Sequence, residues 1–393
     1  MKIAFVQPKS FFTWEALNVG YLAAMLKGHE VVFYSEFFDT REEILKGCFD
    51  ADIIGFTCTS PQYKGAMELA KLLKRSDNTI VFGGFHPTNC PEVLDSVYVD
   101  AVVVGEGERA MLAVVDGLRG RVECEQIQDL DTIPFVDREV IKQERHNKWS
   151  KDTFGNVRMA MLMGRGCKYS CSFCSSHSVW GRKQRLRSPE NIMAELTAIM
   201  KYGPDMIAFA DDELGIDTNH LREFCLAKMD ALNFVKWGCN VVAGTIDEDT
   251  ALLMRASGCT EVWMGIESGN EQILRGMKKP YTKTIIHNAF DTFRDAGIKR
   301  RAYCLLGMPN ETRETIRETE EFIDSVRPDT IGFTMLAPYP GSSFYNQSLS
   351  GVDWSGVDEY GNDFVRSKAL SNEELKTEQK RLVAKYGEIK RCA

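Results

Sequence analysis

The strongest constraint on the fold is a regular alternation of short apolar runs and amphipathic stretches along most of the chain. Within residues 1–120, five apolar runs are each followed by a stretch whose apolar residues recur at helical spacing. Six further pairs of this kind occupy residues 158–345. Repeated strand–helix pairs predict parallel sheets covered by helices, so we expect an α/β fold. The expected architecture is a doubly wound parallel sheet at the N-terminus, followed by a (β/α)6 partial barrel.

Three cysteines follow the first apolar run of the second series. Cys167, Cys171 and Cys174 have C-x-x-x-C-x-x-C spacing on one short loop. Structural zinc sites use four protein ligands in a closed tetrahedron, so three thiols on one loop fit zinc poorly. A 4Fe–4S cluster is normally held by four cysteine thiolates, and three of them would leave one iron open to a substrate or cofactor. We therefore predict a cluster here, in preference to three incidental buried thiols.

Length and charge narrow the classes of protein further. The chain has 393 residues, which predicts two or three domains, and its formal net charge is −8. This charge argues against a nucleic-acid groove, although Arg182, Lys183, Arg185 and Arg187 form a short basic run that is typical of a solvated surface. No apolar segment is long enough to span a membrane, and we expect no signal peptide. Twelve cysteines in such a chain favour metal chemistry and buried thiols over disulfides, so we expect a cytoplasmic protein.

Parallel sheets of this kind bind ligands beyond the carboxyl ends of their strands. In the first series those ends are rich in glycine and hydroxyl groups, which allow a bulky ligand to approach the backbone and form hydrogen bonds. No G-x-G-x-x-G follows the first strand, so a dinucleotide is not predicted. In the second series the ends carry Asp211, Asp212, Glu267 and Ser268. For Asp211 or Asp212 taken alone, helix capping and surface charge remain an alternative.

The cysteine loop, with Phe173 before its last cysteine, resembles the signature of the radical S-adenosylmethionine (SAM) enzymes. The likeness extends over nearly all of residues 158–345 and includes the characteristic segment 263–269. The first series resembles, over its whole length, the cobalamin-binding domain that precedes many radical SAM domains. Its turns at 83–88 and 105–108 carry that resemblance. The chain is thereby identified as a member of the cobalamin-dependent, class B methyltransferase-like group.

The resemblance divides the chain into four parts. We expect a Rossmann-like cobalamin-binding domain over residues 1–122 and a charged, irregular linker over residues 123–155. A radical SAM domain would cover residues 156–345. A C-terminal extension over residues 346–393 would help to close the substrate site.

The resemblance also implies the cofactors: a 4Fe–4S cluster on the three cysteines, SAM on its open iron, and cobalamin on the first domain. The implied SAM positions are Asp211 and Asp212 for the methionine amino group, Glu267 and Ser268 for the ribose or carboxylate, and Phe173, Tyr303 and Leu306 for the adenine. The two aromatic residues are as readily explained by core packing. The implied cobalamin positions are Thr57, Ser60, Gln62, Gly83, Gly84, His86, Gly105, Glu106, Gly107 and Glu108.

One departure from other cobalamin proteins concerns the lower face of the corrin. The sequence has no D-x-H-x-x-G motif, so it offers no lower axial histidine of the usual kind. His86 is better interpreted as a turn histidine that hydrogen-bonds the cofactor periphery or the backbone than as a cobalt ligand. Gln62 and Tyr63 stand where the family places residues beneath the corrin.

The activity implied by the resemblance is methylation of an unactivated carbon. SAM would be cleaved to a 5′-deoxyadenosyl radical that abstracts hydrogen, and the carbon radical would receive a methyl group from methylcobalamin. The expected partners are a small-molecule or peptide substrate and flavodoxin or ferredoxin as electron donor.

Two other enzymatic outcomes are alternatives to methylation. A non-methylating cyclisation or rearrangement with the same cofactors stays open. A tRNA methylthiotransferase is disfavoured because Cys48, Cys58 and Cys90 form no cluster pattern and the chain is acidic. A simple iron–sulfur electron carrier would leave the strand-end residues unexplained.

Overall fold

The computed structural model describes residues 1–11, 15–364 and 367–387, and it contains two six-stranded parallel sheets. The expected α/β architecture is therefore confirmed. The basic C-terminal end, part of the predicted extension, lies outside the described residues. None of the helices in the described ranges is long and apolar enough to cross a membrane.

The first sheet has the spatial order β2-β1-β3-β4-β5-β6. Because the order reverses between β1 and β3, the crevice for a ligand is expected beyond the carboxyl ends of these two strands. The strands are β1 (Lys2–Gln7), β2 (Glu30–Ser35), β3 (Ile53–Thr57), β4 (Thr79–Gly83), β5 (Ala101–Val104) and β6 (Gly120–Glu123). The helices are α1 (Leu17–Met25), α2 (Arg41–Cys48), α3 (Ser60–Leu73), α4 (Phe85–Asn89) and α5 (Gly107–Val115).

Local sequence explains several of these boundaries. Thr40 opens α2 with a capping box, in which its hydroxyl and the Glu43 side chain satisfy each other's backbone amides. Among the elements of this first domain, the strand β6 and the short helix α4 are not predicted by the sequence. In β6 only Val122 is buried, so no apolar run marks the strand. The helix α4 spans five residues and includes a proline, which gives no helical periodicity.

The linker is more ordered than expected. Residues Gln143–Phe154 form a helix, α6, in the stretch that was expected to be irregular. Its sequence is mostly polar, so no apolar residues at helical spacing predict the helix. The side chain of Gln143 is buried, and it donates to Glu15 (3.0 Å) in the first domain and to Asn147 (2.9 Å). Polar contacts and the edge-to-face packing of Trp149 against Phe37 of the first domain fix this helix.

The second sheet has the sequential order β14-β13-β12-β11-β10-β7, as expected for an open partial barrel. The strands of this half are β7 (Arg158–Met161), β8 (Gly164–Arg165), β9 (Arg185–Leu186), β10 (Met206–Leu214), β11 (Lys236–Val241), β12 (Cys259–Glu267), β13 (Lys299–Leu306) and β14 (Thr330–Met335). The helices are α7 (His177–Trp180), α8 (Pro189–Ile199), α9 (Thr218–Leu232), α10 (Glu248–Ala256), α11 (Glu271–Gly276), α12 (Lys283–Asp295), α13 (Arg313–Val326) and α14 (Asn372–Tyr386). Short 3₁₀ turns lie at Pro91–Asp95, Leu130–Thr132, Met200–Tyr202 and Gln347–Leu349.

Side chains alternate between the two faces of this second sheet. In β12, Val262, Met264 and Ile266 belong to the core between the sheet and its helices. Trp263 and Gly265 therefore lie on the inner face, where they are only partly buried. The inner face and the carboxyl ends of the strands are the places where a substrate and cofactors can bind.

Candidate cofactor site

The cysteine loop leaves β7 and is braced by the small antiparallel pair β8–β9. Gly166, just before Cys167, has φ +92°, a region that favours glycine. A Cβ atom added there would lie 2.4 Å from the carbonyl oxygen of Lys183, so no other residue fits without displacement of the backbone. The loop is thus held tightly against the segment that follows α7.

The three thiols of the loop are partly exposed, whereas every other described cysteine except Cys124 is buried. Burial raises the pKa of Cys167 to about 11 and also raises that of Cys171. The sulfur of Cys174 accepts a hydrogen bond from the Ser176 amide (3.4 Å). Within the described ranges, no three His, Cys, Asp or Glu side chains converge closely enough to hold a metal ion. The donor chemistry, three thiols on one braced loop, nevertheless fits a cluster with one open iron.

The buried carboxylate of Asp211, in the C-terminal half of β10, positions this loop. It accepts hydrogen bonds from the amides of Met163 (3.0 Å) and Gly164 (2.6 Å), and burial raises its pKa to about 7. The side chain therefore fixes the strand that leads into the cysteines. Asp212 is exposed, and desolvation by the surrounding chain raises its pKa although a hydrogen bond with Ser176 acts in the opposite direction. Of the two aspartates, Asp212 is the one open to a ligand.

Glu213, next to this pair, was not among the expected site residues. Its side chain is buried, and neither carboxylate oxygen is in hydrogen-bond geometry with a described residue. Burial raises its pKa to about 8. Buried carboxylates are normally hydrogen-bonded, so the Glu213 carboxylate is a candidate acceptor for a hydrogen-bond donor of a bound ligand. Three consecutive acids gave no sequence signal to separate it from its neighbours.

The end of β12 carries a buried ion pair. Glu267 has φ +60°, which is rare for a residue other than glycine, and its carboxylate contacts Lys279 Nζ at 2.8 Å. Burial opposes the charge on Lys279, but Glu267 outweighs it, so the pKa of the lysine is raised. The ammonium lies 5.2 Å from the centre of the Phe173 ring, within the cysteine loop. No motif or apolar pattern in the sequence distinguishes Lys279 from a surface lysine, so only the structure reveals this ion pair.

Three other expected SAM residues have different surroundings. The Ser268 hydroxyl is paired with the Thr319 hydroxyl (3.1 Å), which ties the strand end to α13. Leu306 is buried in the core with the helices, whereas its neighbour Leu305 packs in the same apolar cluster as Phe173. Leu305 therefore replaces Leu306 as the candidate for an adenine contact. Tyr303 is paired in register with Gly265 on the inner face of the sheet.

The switch point of the first sheet holds several of the expected cobalamin residues. The Thr57 hydroxyl accepts from Asn18 (2.6 Å). The Gln62 amide donates to the Pro8 carbonyl (2.7 Å), and its oxygen accepts from the Thr59 amide (3.0 Å). These bonds join the ends of β1 and β3, so Gln62 closes the base of the crevice.

The glycines at these strand ends do not all have the same role. Gly84 has φ +106°, and an added Cβ would lie 2.8 Å from the Cys58 carbonyl oxygen. At Gly107 an added Cβ would lie 2.9 Å from a methyl group of Leu22, which lets α1 and α5 pack closely. Gly105 has φ +75°. At Gly83 a Cβ would make only an ordinary contact (3.6 Å), so packing does not require glycine there.

His86 is buried beside the switch point. Its Nδ1 lies 3.0 Å from the Ser60 hydroxyl, and its ring is 4.3 Å from that of Tyr63. Burial lowers the pKa of His86 to about 4, so the imidazole is neutral at neutral pH. His86, Ser60 and Tyr63 thus form one packed group, in agreement with a turn histidine held by hydrogen bonds.

This burial predicts a pH-dependent stability. Above pH 6.5 the imidazole is neutral in both the folded and unfolded chains, and below it the unfolded chain binds the proton more tightly. Stability should therefore fall between pH 6.5 and pH 4, by about 2 kcal/mol at pH 5. Urea unfolding at pH 7 and pH 5 measures this loss. His86→Gln should remove most of it, and the partly exposed His287→Gln should not; equal pH dependence in both variants would contradict the assignment.

Glu106 and Glu108 were expected to contact cobalamin, but their side chains form ion pairs with arginines of the second domain. Glu108 pairs with Arg165, and Glu106 pairs with Arg185 and lies 3.7 Å from Arg165. All four side chains are at most 5% exposed. The arginines belong to the β8–β9 pair that braces the cysteine loop. The side chains of Glu106 and Glu108 therefore bind the second domain. Only backbone groups of their turn remain available to contact a cofactor.

The buried pairs therefore bring the strand ends of both sheets together. Arg165 stands two residues before Cys167 and also lies over the rings of Tyr21 (5.3 Å) and Trp180 (5.0 Å). Arg185 donates to the Ile127 carbonyl (2.7 Å) in the linker. We call Glu106, Glu108, Arg165 and Arg185 the interdomain ion-pair cluster. It fixes the cysteine loop relative to the switch point of the first sheet.

Comparison with known proteins agrees with both domains. The B12 binding domain model matches residues 6–115, and the Radical SAM superfamily model matches residues 161–323. An uncharacterized methyltransferase of Pyrococcus horikoshii is 30% identical over 371 residues, which cover 86% of this chain and 79% of that protein. The anaerobic magnesium-protoporphyrin IX monomethyl ester cyclase of Rubrivivax gelatinosus is 28% identical, with 92% of this chain and 72% of that protein covered.

A solved structure shares the fold. The radical SAM methyltransferase TsrM of Kitasatospora setae, with cobalamin and an iron–sulfur cluster bound, superposes with a TM-score of 0.74 at 18% identity. The match covers 87% of this chain and 73% of that one. Both expected domains are thus confirmed in one chain, in the expected order. The chain belongs to the cobalamin-dependent radical SAM enzymes, whose cofactors are a 4Fe–4S cluster, SAM and cobalamin.

Proposed function

We propose that this enzyme methylates an unactivated carbon of its substrate. The observation that carries the proposal is the interdomain ion-pair cluster, because it joins the cysteine loop to the turn after β5 in the cobalamin-binding domain. In this reaction the same substrate carbon must lie close both to the SAM on the cluster and to the methyl group on cobalamin. The cysteine loop and the first domain must therefore be held at a fixed distance and orientation. The names of related proteins, most of them methyltransferases, support the same reaction.

The residues divide into groups by the ligand that they suit. Cys167, Cys171 and Cys174 would hold the cluster. When bound, the cluster and SAM supply hydrogen-abstracting radical chemistry, and cobalamin supplies a methyl group. The chain's own contribution is to bind and orient these groups and to exclude water from them.

Charge complementarity suggests how the amino-acid part of SAM would bind. Asp212 and Glu213 offer carboxylates to its ammonium group, and the Glu267–Lys279 pair lies on the other side of the loop. Lys279 offers an ammonium to the SAM carboxylate or holds Glu267 toward the ribose. Phe173 and Leu305, in one apolar cluster, would face the adenine.

The substrate would lie on the inner face of the second sheet. Two buried donors there, Trp263 Nε1 and Arg301 Nε, have no hydrogen-bond partner among the described residues. They are paired in register on β12 and β13. Unpaired buried N–H groups suit a small molecule or peptide that carries oxygen acceptors. We also propose a cytoplasmic enzyme that receives electrons from a flavodoxin or ferredoxin.

The ratio of two SAM-derived products tests methylation. The holoenzyme, with a reductant and SAM that carries a fully deuterated methyl group, is supplied with the low-molecular-weight fraction of a cell extract. Methylation predicts equal amounts of 5′-deoxyadenosine and S-adenosylhomocysteine, and an extract component that gains the intact labelled methyl group. Continued 5′-deoxyadenosine formation, without S-adenosylhomocysteine beyond one equivalent per cobalamin, would refute it.

That second outcome would identify a cyclisation or rearrangement. One observation favours this alternative: the ester cyclase relative aligns with 92% of the chain. A methylthiotransferase is disfavoured further by the structure, because Cys48, Cys58 and Cys90 are buried in the core of the first domain. They cannot hold a second cluster without unfolding that core.

A further inference from the structure

The structure splits the basic run 182–187 into two unlike halves. Arg185 and Arg187 are buried, and they are paired with Glu106 and with Glu195 (2.5 Å), respectively. Arg182 and Lys183 are exposed. Neither lies within ion-pair distance of a carboxylate in the part of the chain that the structure describes. One half of the run is thus buried in ion pairs, of which Arg185–Glu106 joins the two domains, and the other half makes no ion pair with the described carboxylates.

The free half lies against the cysteine loop. The backbone oxygen of Lys183 is the atom that excludes a side chain at Gly166, next to Cys167. The guanidinium group of Arg182 donates a hydrogen bond to the Tyr169 carbonyl oxygen (3.5 Å). Lys168, on the loop itself, is also exposed and makes no ion pair among the described residues. We call Lys168, Arg182 and Lys183 the basic rim.

The basic rim opposes the charge of the whole molecule. The chain is acidic, with a formal net charge of −8, and several exposed cations elsewhere, such as Arg41, Arg313 and Arg381, are paired with nearby carboxylates. Glu213 is the acid that faces Lys168, but it is buried and does not cover the outer surface of the rim. A local positive patch on an acidic protein attracts and orients acidic partners, and it does so most strongly at low salt.

We propose that the basic rim is the docking surface for a small acidic one-electron carrier protein. This inference rests on the proposed function, which requires an electron to enter at the cysteine loop. One electron leaves the reduced carrier and enters the cluster that Cys167, Cys171 and Cys174 would hold. The carrier is oxidised by one electron, and no atom or proton is exchanged. Lys168 is next to Cys167 in the chain, and Arg182 and Lys183 contact the loop, so a carrier docked on the rim would lie beside the cluster ligands.

The test uses two double variants with the same change of charge. The variant R182E/K183E reverses two charges of the rim and leaves Lys168 intact, since that residue adjoins a cluster ligand. The control, R255E/K299E, also reverses one arginine and one lysine that are exposed and make no ion pair with described residues. Lys299 begins β13, and Arg255 lies near the end of α10. Both are at the end of the barrel opposite the loop, because the strands are parallel.

The first readout is binding. The affinity of oxidised flavodoxin for the holoenzyme is measured by calorimetry at several salt concentrations. R182E/K183E should bind about 10-fold more weakly at low salt and show a smaller salt dependence, whereas the control should stay within about 2-fold of the unmodified enzyme. Equal affinities for the two variants would overturn the assignment of this surface.

The second readout is 5′-deoxyadenosine formation with two reductants. With reduced flavodoxin, R182E/K183E should form the product about 10-fold more slowly, and with dithionite it should stay within about 2-fold of the unmodified enzyme. An equal loss with both reductants, together with unchanged flavodoxin affinity, would refute the docking surface. Binding of total tRNA that depends on Arg182 and Lys183, with no effect on flavodoxin, would refute it as well. If dithionite drives no 5′-deoxyadenosine formation in the unmodified enzyme, the proposed function fails instead.

Discussion

Replacing Cys167, Cys171 and Cys174 together by alanine is expected to reduce both 5′-deoxyadenosine and S-adenosylhomocysteine formation to background. These are the three partly exposed thiols of the braced loop, and a cluster cannot be held by the remaining buried cysteines. The iron content of the reconstituted protein should fall with the activity. The measurement is quantification of both products and of iron after reconstitution.

Cys124→Ala provides the matched control for this prediction. Cys124 is also partly exposed, but it lies in the linker, away from the loop. Its replacement should leave iron content and both products unchanged. Retention of 5′-deoxyadenosine formation by the triple variant would remove the basis for the cluster assignment.

The second large effect concerns the interdomain ion-pair cluster. Glu106→Ala leaves Arg185 buried without its carboxylate and removes the acceptor for the Ile127 amide (3.2 Å). Loss of one partner of a buried ion pair destabilises proteins by about 3 to 5 kcal/mol, because the other charge is left uncompensated. We expect a loss of that size in urea unfolding. We also expect the yield of S-adenosylhomocysteine per 5′-deoxyadenosine to fall, because the loop loses its fixed relation to the first domain.

Glu123→Ala is the control for this change. Glu123 pairs with Arg121 at 2.9 Å on the same strand, β6, but both side chains are at least half exposed. Exposed pairs of this kind contribute about 0 to 1 kcal/mol. A Glu106→Ala variant that is no less stable than Glu123→Ala, with an unchanged product ratio, would show that the cluster does not position the loop.

Local patterns predicted most of the fold because strand and helix periodicities are local properties. A few residues of sequence are enough to recognise the buried runs of β1 and β3 and the amphipathic pattern of α13. The polar helix α6 does not, because its contacts are made by side chains such as Gln143 with distant residues. Elements fixed by tertiary polar contacts leave little trace in the local pattern.

The site was predicted unevenly for a similar physical reason. The cysteine spacing alone indicated the cluster, since all three ligands lie on one loop. Arg185 looked like part of a surface run, because its partner Glu106 is 79 residues away in the chain. Leu306 packs in the core with the helices and Leu305 packs with Phe173, because adjacent side chains of a strand point to opposite faces; a sequence pattern does not show which of the two faces the site.

The most direct test of the whole account is the absorption spectrum of the enzyme after reconstitution with cobalamin, iron and sulfide, followed by desalting. The account predicts that corrin bands and iron–sulfur absorption are both retained in near-stoichiometric amounts. Addition of SAM and a reductant should convert the corrin bands to those of methylcobalamin. A desalted protein that keeps its iron–sulfur absorption but no corrin bands would contradict the assignment of the first domain and the proposed methyl transfer.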